Sequence, residues 1–202
     1  MKLYYSPGAC SMAPHIILHE LGKKFTIEKV DLGAKKTETG ADFLKANSKG
    51  YVPTLEIKKG ENLTEVAIIL QYLADKAKAT KLLPKTGTMA RYRAMEALNF
   101  VSSELHKGIG GLFNPAMPDA GKAAIKDRVA KRLTWLDGHL GKQNFMAGKS
   151  FGVADAYAFT VLGWTKHVGI DLAPYKNIGA YLGRVGSRKS VQAALKAEGL
   201  VK

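Results

Sequence analysis

A change of hydrophobic period partway along the chain limits its possible folds more than any other feature. Up to about residue 77, strand-like runs alternate with helical ones; beyond about residue 88 only helical patterns remain. Residues 2–6 (Lys-Leu-Tyr-Tyr-Ser) and 25–32 (Phe-Thr-Ile-Glu-Lys-Val-Asp-Leu) are extended runs. Between them Ala13, Ile16, Ile17 and Leu21 recur at helical spacing. Strand, helix and strand in so short a stretch predict a right-handed βαβ unit. Residues 54–58 and 62–64 flank Lys59-Gly60-Glu61, a hairpin signal. Val66, Ile69, Leu70 and Leu73 then fall at i, i+3, i+4 and i+7, which predicts an amphipathic helix over about 65–77. With a short helix at about 41–46, the order is βαβαββα, that of a thioredoxin-like α/β domain.

Residues 78–88 contain Pro84 and Gly87 and show no period. They part a thioredoxin-like domain of residues 1–80 from an all-α helical bundle of residues 89–202, with 81–88 as linker. In the bundle, helices are expected at about 89–108, 121–142, 152–168, 176–187 and 190–197. The breaks fall at Asn114-Pro115, Pro118, Gly148 and Pro174. No segment approaches the ~18 consecutive apolar residues of a membrane span. The N-terminus, Met1-Lys2-Leu3-Tyr4-Tyr5, reads as a strand rather than a signal peptide, so a cytoplasmic protein is expected.

Net charge is +14, from 31 basic and 17 acidic residues. The lysines are dispersed, in groups as short as Lys35-Lys36, Lys58-Lys59, Lys131-Arg132 and Arg188-Lys189. That dispersion favours a solvated basic surface over a nucleic-acid partner. A single cysteine, Cys10, excludes an internal disulfide and a cysteine-based zinc site. His15 and His19 lie four apart on a predicted helix, but no acidic ligand stands at a telling distance, so no metal is expected.

Four groups could carry chemistry. Cys10 follows the Pro7-Gly8-Ala9 turn and precedes a helix starting near Ser11, where free amides and the macrodipole favour a thiolate. Ser11-Met12-Ala13 supplies no second cysteine, which argues against dithiol exchange, while a single-thiol site and an inert buried cysteine both stay open. Val52-Pro53 enters a strand. A cis bond there would turn the Val52 N–H and C=O toward an extended peptide, although a plain loop proline satisfies the dipeptide equally. Thr64 can cap the helix over 65–77, whose first amides and Glu65 suit the carboxylate and ammonium of an amino-acid head group. An ordinary first-turn glutamate is the alternative. Asn99, Ser103 and His106, at i, i+4 and i+7, share one helix face, which a solvated surface would also explain.

Six blocks in order carry a resemblance over essentially the whole chain. They are Met1-Lys2-Leu3-Tyr4-Tyr5-Ser6-Pro7-Gly8-Ala9-Cys10-Ser11, Asn47-Ser48-Lys49-Gly50-Tyr51-Val52-Pro53, Leu63-Thr64-Glu65, Gln71-Tyr72-Leu73-Ala74-Asp75, Glu104-Leu105-His106-Lys107-Gly108 and Val153-Ala154-Asp155-Ala156-Tyr157. The chain resembles the bacterial beta-class glutathione S-transferases, in which a cysteine stands where other classes place a catalytic Tyr or Ser. The resemblance implies a cytoplasmic homodimer that conjugates glutathione to hydrophobic electrophiles in detoxification, with no metal. By position it implies Cys10 beside the glutathione sulfur, Lys35 on the glycine carboxylate, the Val52 backbone on the cysteinyl part, and Glu65 with residue 66 on the γ-glutamyl end. Asn99, Ser103, Glu104, Leu105 and His106 match positions contributed by the helical domain. Donors for the sulfur would come from Cys10, Tyr5, Ser11 and His106. Two residues depart from the pattern: Val66 replaces a small residue such as Ser or Gly, and Gly152 replaces the Ser/Thr of a capping box that keeps Asp155.

Three functions compete on this sequence. One is glutathione transfer, one is monothiol exchange through a mixed disulfide at Cys10, and one is a non-enzymatic ligand carrier or nucleic-acid module. Fold does not choose among them. Cys10 and the set of glutathione contacts favour the first two, and the absent second cysteine weighs against dithiol chemistry.

Overall fold

The computed structural model describes residues 1–201. Two compact units divide them, one made of residues 1–79 with the segment from Arg188 onward, the other of residues 80–187. In the first unit β1 (Lys2–Tyr5), α1 (Met12–Glu20) and β2 (Thr26–Asp31) form the expected βαβ start. After β3 (Lys36–Thr37) and a 3-10 turn at Phe43–Lys45 come β4 (Thr54–Lys58), β5 (Glu61–Thr64) and α2 (Val66–Lys76). The sheet order is β3-β2-β1-β4-β5. β1 runs parallel to β2, and Leu3 faces Leu55 across the antiparallel β1–β4 pair. The two-residue β3 pairs only Val30 with Thr37 and Asp31 with Lys36, too short a run to show a period.

Alternation along β1 sends neighbouring side chains to opposite faces. Leu3 is fully buried, as are Ile16 and Ile17 of α1 and Ile69 and Leu70 of α2. On the other face Tyr4 packs with Val30, Phe43 and Val52, its ring 5.6 Å from that of Phe43. Thr64 is not the cap of α2; it ends β5 opposite Thr54, and Glu65 takes the N-cap position at φ 71°.

In the second unit α3 (Met89–Phe100) continues through a π-helical stretch at Val101–His106 into α4 (Lys107–Gly111). It is followed by α5 (Asp119–Leu140), α6 (Val153–Leu162), a 3-10 turn at Thr165–His167 and α7 (Lys176–Gly186). The helix expected over 152–168 therefore ends early, at the Gly163 C-cap. α6 is buried on nearly every side, as a central helix must be when others surround it. Its start is fixed by Asp155, which accepts hydrogen bonds from the amides of Gly152 (2.8 Å) and Met146 (2.8 Å) and from the Tyr181 hydroxyl (3.1 Å). Half of the capping box thus survives. A Cβ at Gly152 would lie 2.9 Å from the Leu82 carbonyl oxygen, so the glycine admits a close backbone approach that a serine would resist.

α8 (Lys189–Ala197) corrects the domain boundary expected from sequence, because it packs on α1 in the first unit. Arg188 and Ser190 both bond Glu20 at the end of α1. Beyond α8, Glu198 is buried: its carboxylate meets His15 Nδ1 at 2.8 Å and accepts the Gly8 amide at 2.9 Å. The C-terminal segment therefore braces the loop that carries Cys10.

Candidate active site

The loop from β1 to α1 places Cys10 one residue before the Ser11 N-cap. Its thiol donates to the Val52 carbonyl at 3.2 Å, and the Val52-Pro53 bond is cis. Burial pushes the thiol pKa up to about 12; the Cys10 and Ser11 amides pull it the other way, and the negative charge of Glu65 adds to the rise. This overturns the thiolate expected from the helix start. The amides act in the expected direction, but desolvation of the anion outweighs them. At neutral pH Cys10 is a protonated hydrogen-bond donor.

One segment, residues 49–52, connects four of the residues singled out in the first unit. Cys10 is held at Val52, and Lys35 donates from Nζ to the Gly50 carbonyl at 2.8 Å. Glu65 Oε1 accepts from Lys49 Nζ at 2.5 Å and from the Tyr51 hydroxyl at 2.7 Å. Lys49 also donates to the Thr64 hydroxyl at 2.8 Å. Buried Asn47 fixes this segment: its Nδ2 donates to the Tyr51 carbonyl at 2.7 Å and its Oδ1 accepts the Lys49 amide at 3.1 Å. Gly50, at φ 72°, makes the turn, and a Cβ there would lie 3.3 Å from the Leu44 side chain and 3.4 Å from that of Lys35. The hydrogen bond to Glu65 raises the pKa of both Lys49 and Tyr51.

Ser11, Tyr5 and Val66 are all buried. Ser11 is fully buried, and its hydroxyl accepts the Ser6 amide (3.2 Å) and donates to the Ser6 carbonyl (3.3 Å), closing the Cys10 loop. Tyr5 turns its ring toward His15 on α1, at 6.1 Å between centroids, and burial raises its pKa. Val66 is buried in the core with its side chain, so it presents only backbone to the surface.

In the second unit, Ser103 is exposed and donates to the Asn99 carbonyl at 2.9 Å. Glu104 accepts from Arg132 Nε at 2.5 Å, and Leu105 is a fully buried core residue. His106 Nδ1 lies 2.5 Å from the Tyr157 hydroxyl, and its ring meets Trp164 edge-on at 4.9 Å. The π-helical stretch carries Ser103 through His106, so His106 does not keep the face that α-helical spacing assigns it. Lys49, Tyr51, Arg132 and Trp164 escaped the sequence reading. The first two stand in the block of residues 47–53, where nothing in the sequence sets Lys49 or Tyr51 apart from their neighbours.

Among the described residues no group of three or more His, Cys, Asp or Glu side chains could hold a metal ion. Nor is any described helix long and apolar enough to cross a membrane. The fold and site together define a thioredoxin-like unit with one protonated thiol beside a proline-preceding backbone, joined to a helical unit.

Comparison with known proteins sharpens this class. Residues 8–76 match the family described as glutathione S-transferase, N-terminal domain, and residues 119–184 match glutathione S-transferase, C-terminal domain. Glutathione S-transferase GstA of Escherichia coli O157:H7 is 43% identical over 200 residues, covering 99% of this chain and 100% of that one. The bacterial beta-class glutathione S-transferase of Sphingomonas chungbukensis has a solved structure that superposes with a TM-score of 0.95 at 51% identity, over 100% of both chains. A sphingomonad glutathione S-transferase complexed with glutathione gives 0.95 at 49% identity, also over 100% of both. This chain belongs to the glutathione S-transferase family.

Proposed function

We propose that the protein binds glutathione along residues 49–52 and conjugates its sulfur to the electrophilic carbon of a hydrophobic compound. The observation that carries this is that Cys10, Lys35 and Glu65 all bond one short segment, Cys10 at Val52, Lys35 at Gly50, and Glu65 at Lys49 and Tyr51. An extended tripeptide laid on that segment meets Glu65 at its γ-glutamyl end, Val52 and Cys10 at its cysteine, and Lys35 at its glycine carboxylate. The glutathione thiol loses its proton to water, and its thiolate accepts the hydrogen bond that the Cys10 thiol now gives to Val52. The thiolate attacks carbon, a C–S bond forms, and the leaving group departs with the electron pair of its bond. A donor already in place lowers the energy of the developing anion without reorganisation.

His106, held by Tyr157 and Trp164, is a second candidate donor, and Asn99, Ser103 and Glu104 are candidate polar contacts on the helical unit. Leu105, buried, would act by packing. Tyr5 and Ser11 are assigned here to shaping the Cys10 loop. A detoxifying role in the cytoplasm and a closed two-fold homodimer complete the reading. Protonated Cys10 weighs against the mixed-disulfide alternative, which needs a thiolate.

The test is Cys10→Ala in steady-state conjugation of glutathione to an activated aryl halide. A loss of about 10- to 100-fold in kcat/KM, the worth of one donor at a developing anion, is expected. No conjugation by the wild type above the uncatalysed rate would sink the proposal. Sedimentation equilibrium of the wild type reads the dimer; a mass near 21.8 kDa at micromolar concentration would contradict it.

A further inference from the structure

An amino-acid head group carries opposite charges on one carbon. If Glu65 receives the ammonium of a γ-glutamyl group, the α-carboxylate must arrive beside the Glu65 carboxylate, where like charge repels it. The amides of the first turn of α2 can donate to that carboxylate, but they stand immediately after Glu65 itself. Val66 adds no polar group, because its side chain is buried. A mobile cation at this corner would balance the charges.

Lys49 has the required placement. Its ammonium already bridges Glu65 Oε1 and the Thr64 hydroxyl at the start of α2. Its backbone is fixed by buried Asn47, while its side chain is 46% exposed and therefore able to pivot on a fixed base. Resting on Glu65, it stands where the ligand ammonium would go. Once that ammonium occupies Glu65, the half-exposed Lys49 side chain would be released to meet the incoming carboxylate. The result is an alternating set of four charges: Glu65, ligand ammonium, ligand carboxylate and Lys49.

We infer that Lys49 is a binding and specificity-determining residue that recognises the α-carboxylate of the γ-glutamyl group, so that the site demands a zwitterionic head. This rests on the glutathione reading above and extends it. The site then rejects peptides that carry the ammonium without the carboxylate.

Titration calorimetry with two ligands tests this. One is glutathione; the other is 4-aminobutyryl-cysteinyl-glycine, which lacks only the α-carboxylate. Lys49→Met should weaken glutathione about tenfold, the lower end for a charged hydrogen bond, and change the affinity for the analogue less than about twofold. Equal losses for both ligands would make Lys49 a general support of the loop and overturn the assignment. So would unchanged glutathione affinity, or tighter binding, which would make Lys49 a mere competitor for Glu65. Failure of the wild-type protein to bind glutathione at all would instead refute the glutathione reading, and this inference with it.

Discussion

Val66→Ser separates what the residue pattern suggests from what the structure dictates. From the pattern, a serine after Glu65 restores a hydroxyl for the γ-glutamyl carboxylate and should tighten binding. In the structure Val66 is only 5% exposed, at the first turn of α2 beside the core residues Ile69 and Leu70. Replacing valine removes two buried methyl groups, about 1.5 kcal/mol at ~0.8 kcal/mol per buried carbon. Burying a hydroxyl in their place costs about 1–3 kcal/mol more unless it finds a partner. The variant should therefore lose about 2.5–4.5 kcal/mol of stability in urea unfolding. Its glutathione affinity should stay within about threefold of wild type, because the side chain points into the core. A stability loss under about 0.5 kcal/mol together with tighter glutathione binding would contradict this burial of residue 66. It would mean that residue 66 faces the ligand.

Two further predictions concern the Cys10 loop. A thiol whose pKa rises on folding binds its proton more tightly when folded, so its contribution is complete below about pH 9 and is lost as pH rises toward about 12. Wild-type stability should consequently fall more steeply than that of Cys10→Ala between pH 9 and 11, measured by urea unfolding; parallel profiles would show an unperturbed thiol. Glu198→Ala strips the buried partner from both His15 and the Gly8 amide. It should cost about 1.5–4.5 kcal/mol of stability, from about 1–3 for leaving the buried His15 ring without its acceptor and about 0.5–1.5 for the lost Gly8 bond, and a loss below about 1 kcal/mol would show that the C-terminal segment does not brace the loop.

Elements with a clear period were legible from sequence. The alternating and helical runs of the first 77 residues yield the sheet and its helices, and Cys10, Val52 and Glu65 were placed on the right loop, strand entry and helix start. What escaped has physical reasons. β3 is two residues long, too short to show any period. The π-helical stretch at Val101–His106 has the composition of an ordinary helix, so the turn of His106 toward Tyr157 left no trace in the spacing. α8 is amphipathic, and amphipathicity says that a helix packs on something without saying on what. The Cys10 thiol was misjudged because its position in the chain reveals the nearby amides but not the burial that outweighs them. Lys49 is one of many lysines on a basic chain, and only the fold brings it to Glu65.

In the proposed complex Glu65, bonded to the segment that also holds Cys10 and Lys35, receives the ammonium of glutathione. Calorimetric titration of Glu65→Gln with glutathione tests it most directly, since the substitution keeps shape and removes charge. A loss of about 1.5–3 kcal/mol in binding free energy, at least tenfold in Kd, is predicted. A dissociation constant equal to that of the wild-type protein would contradict the claim and place the γ-glutamyl group elsewhere.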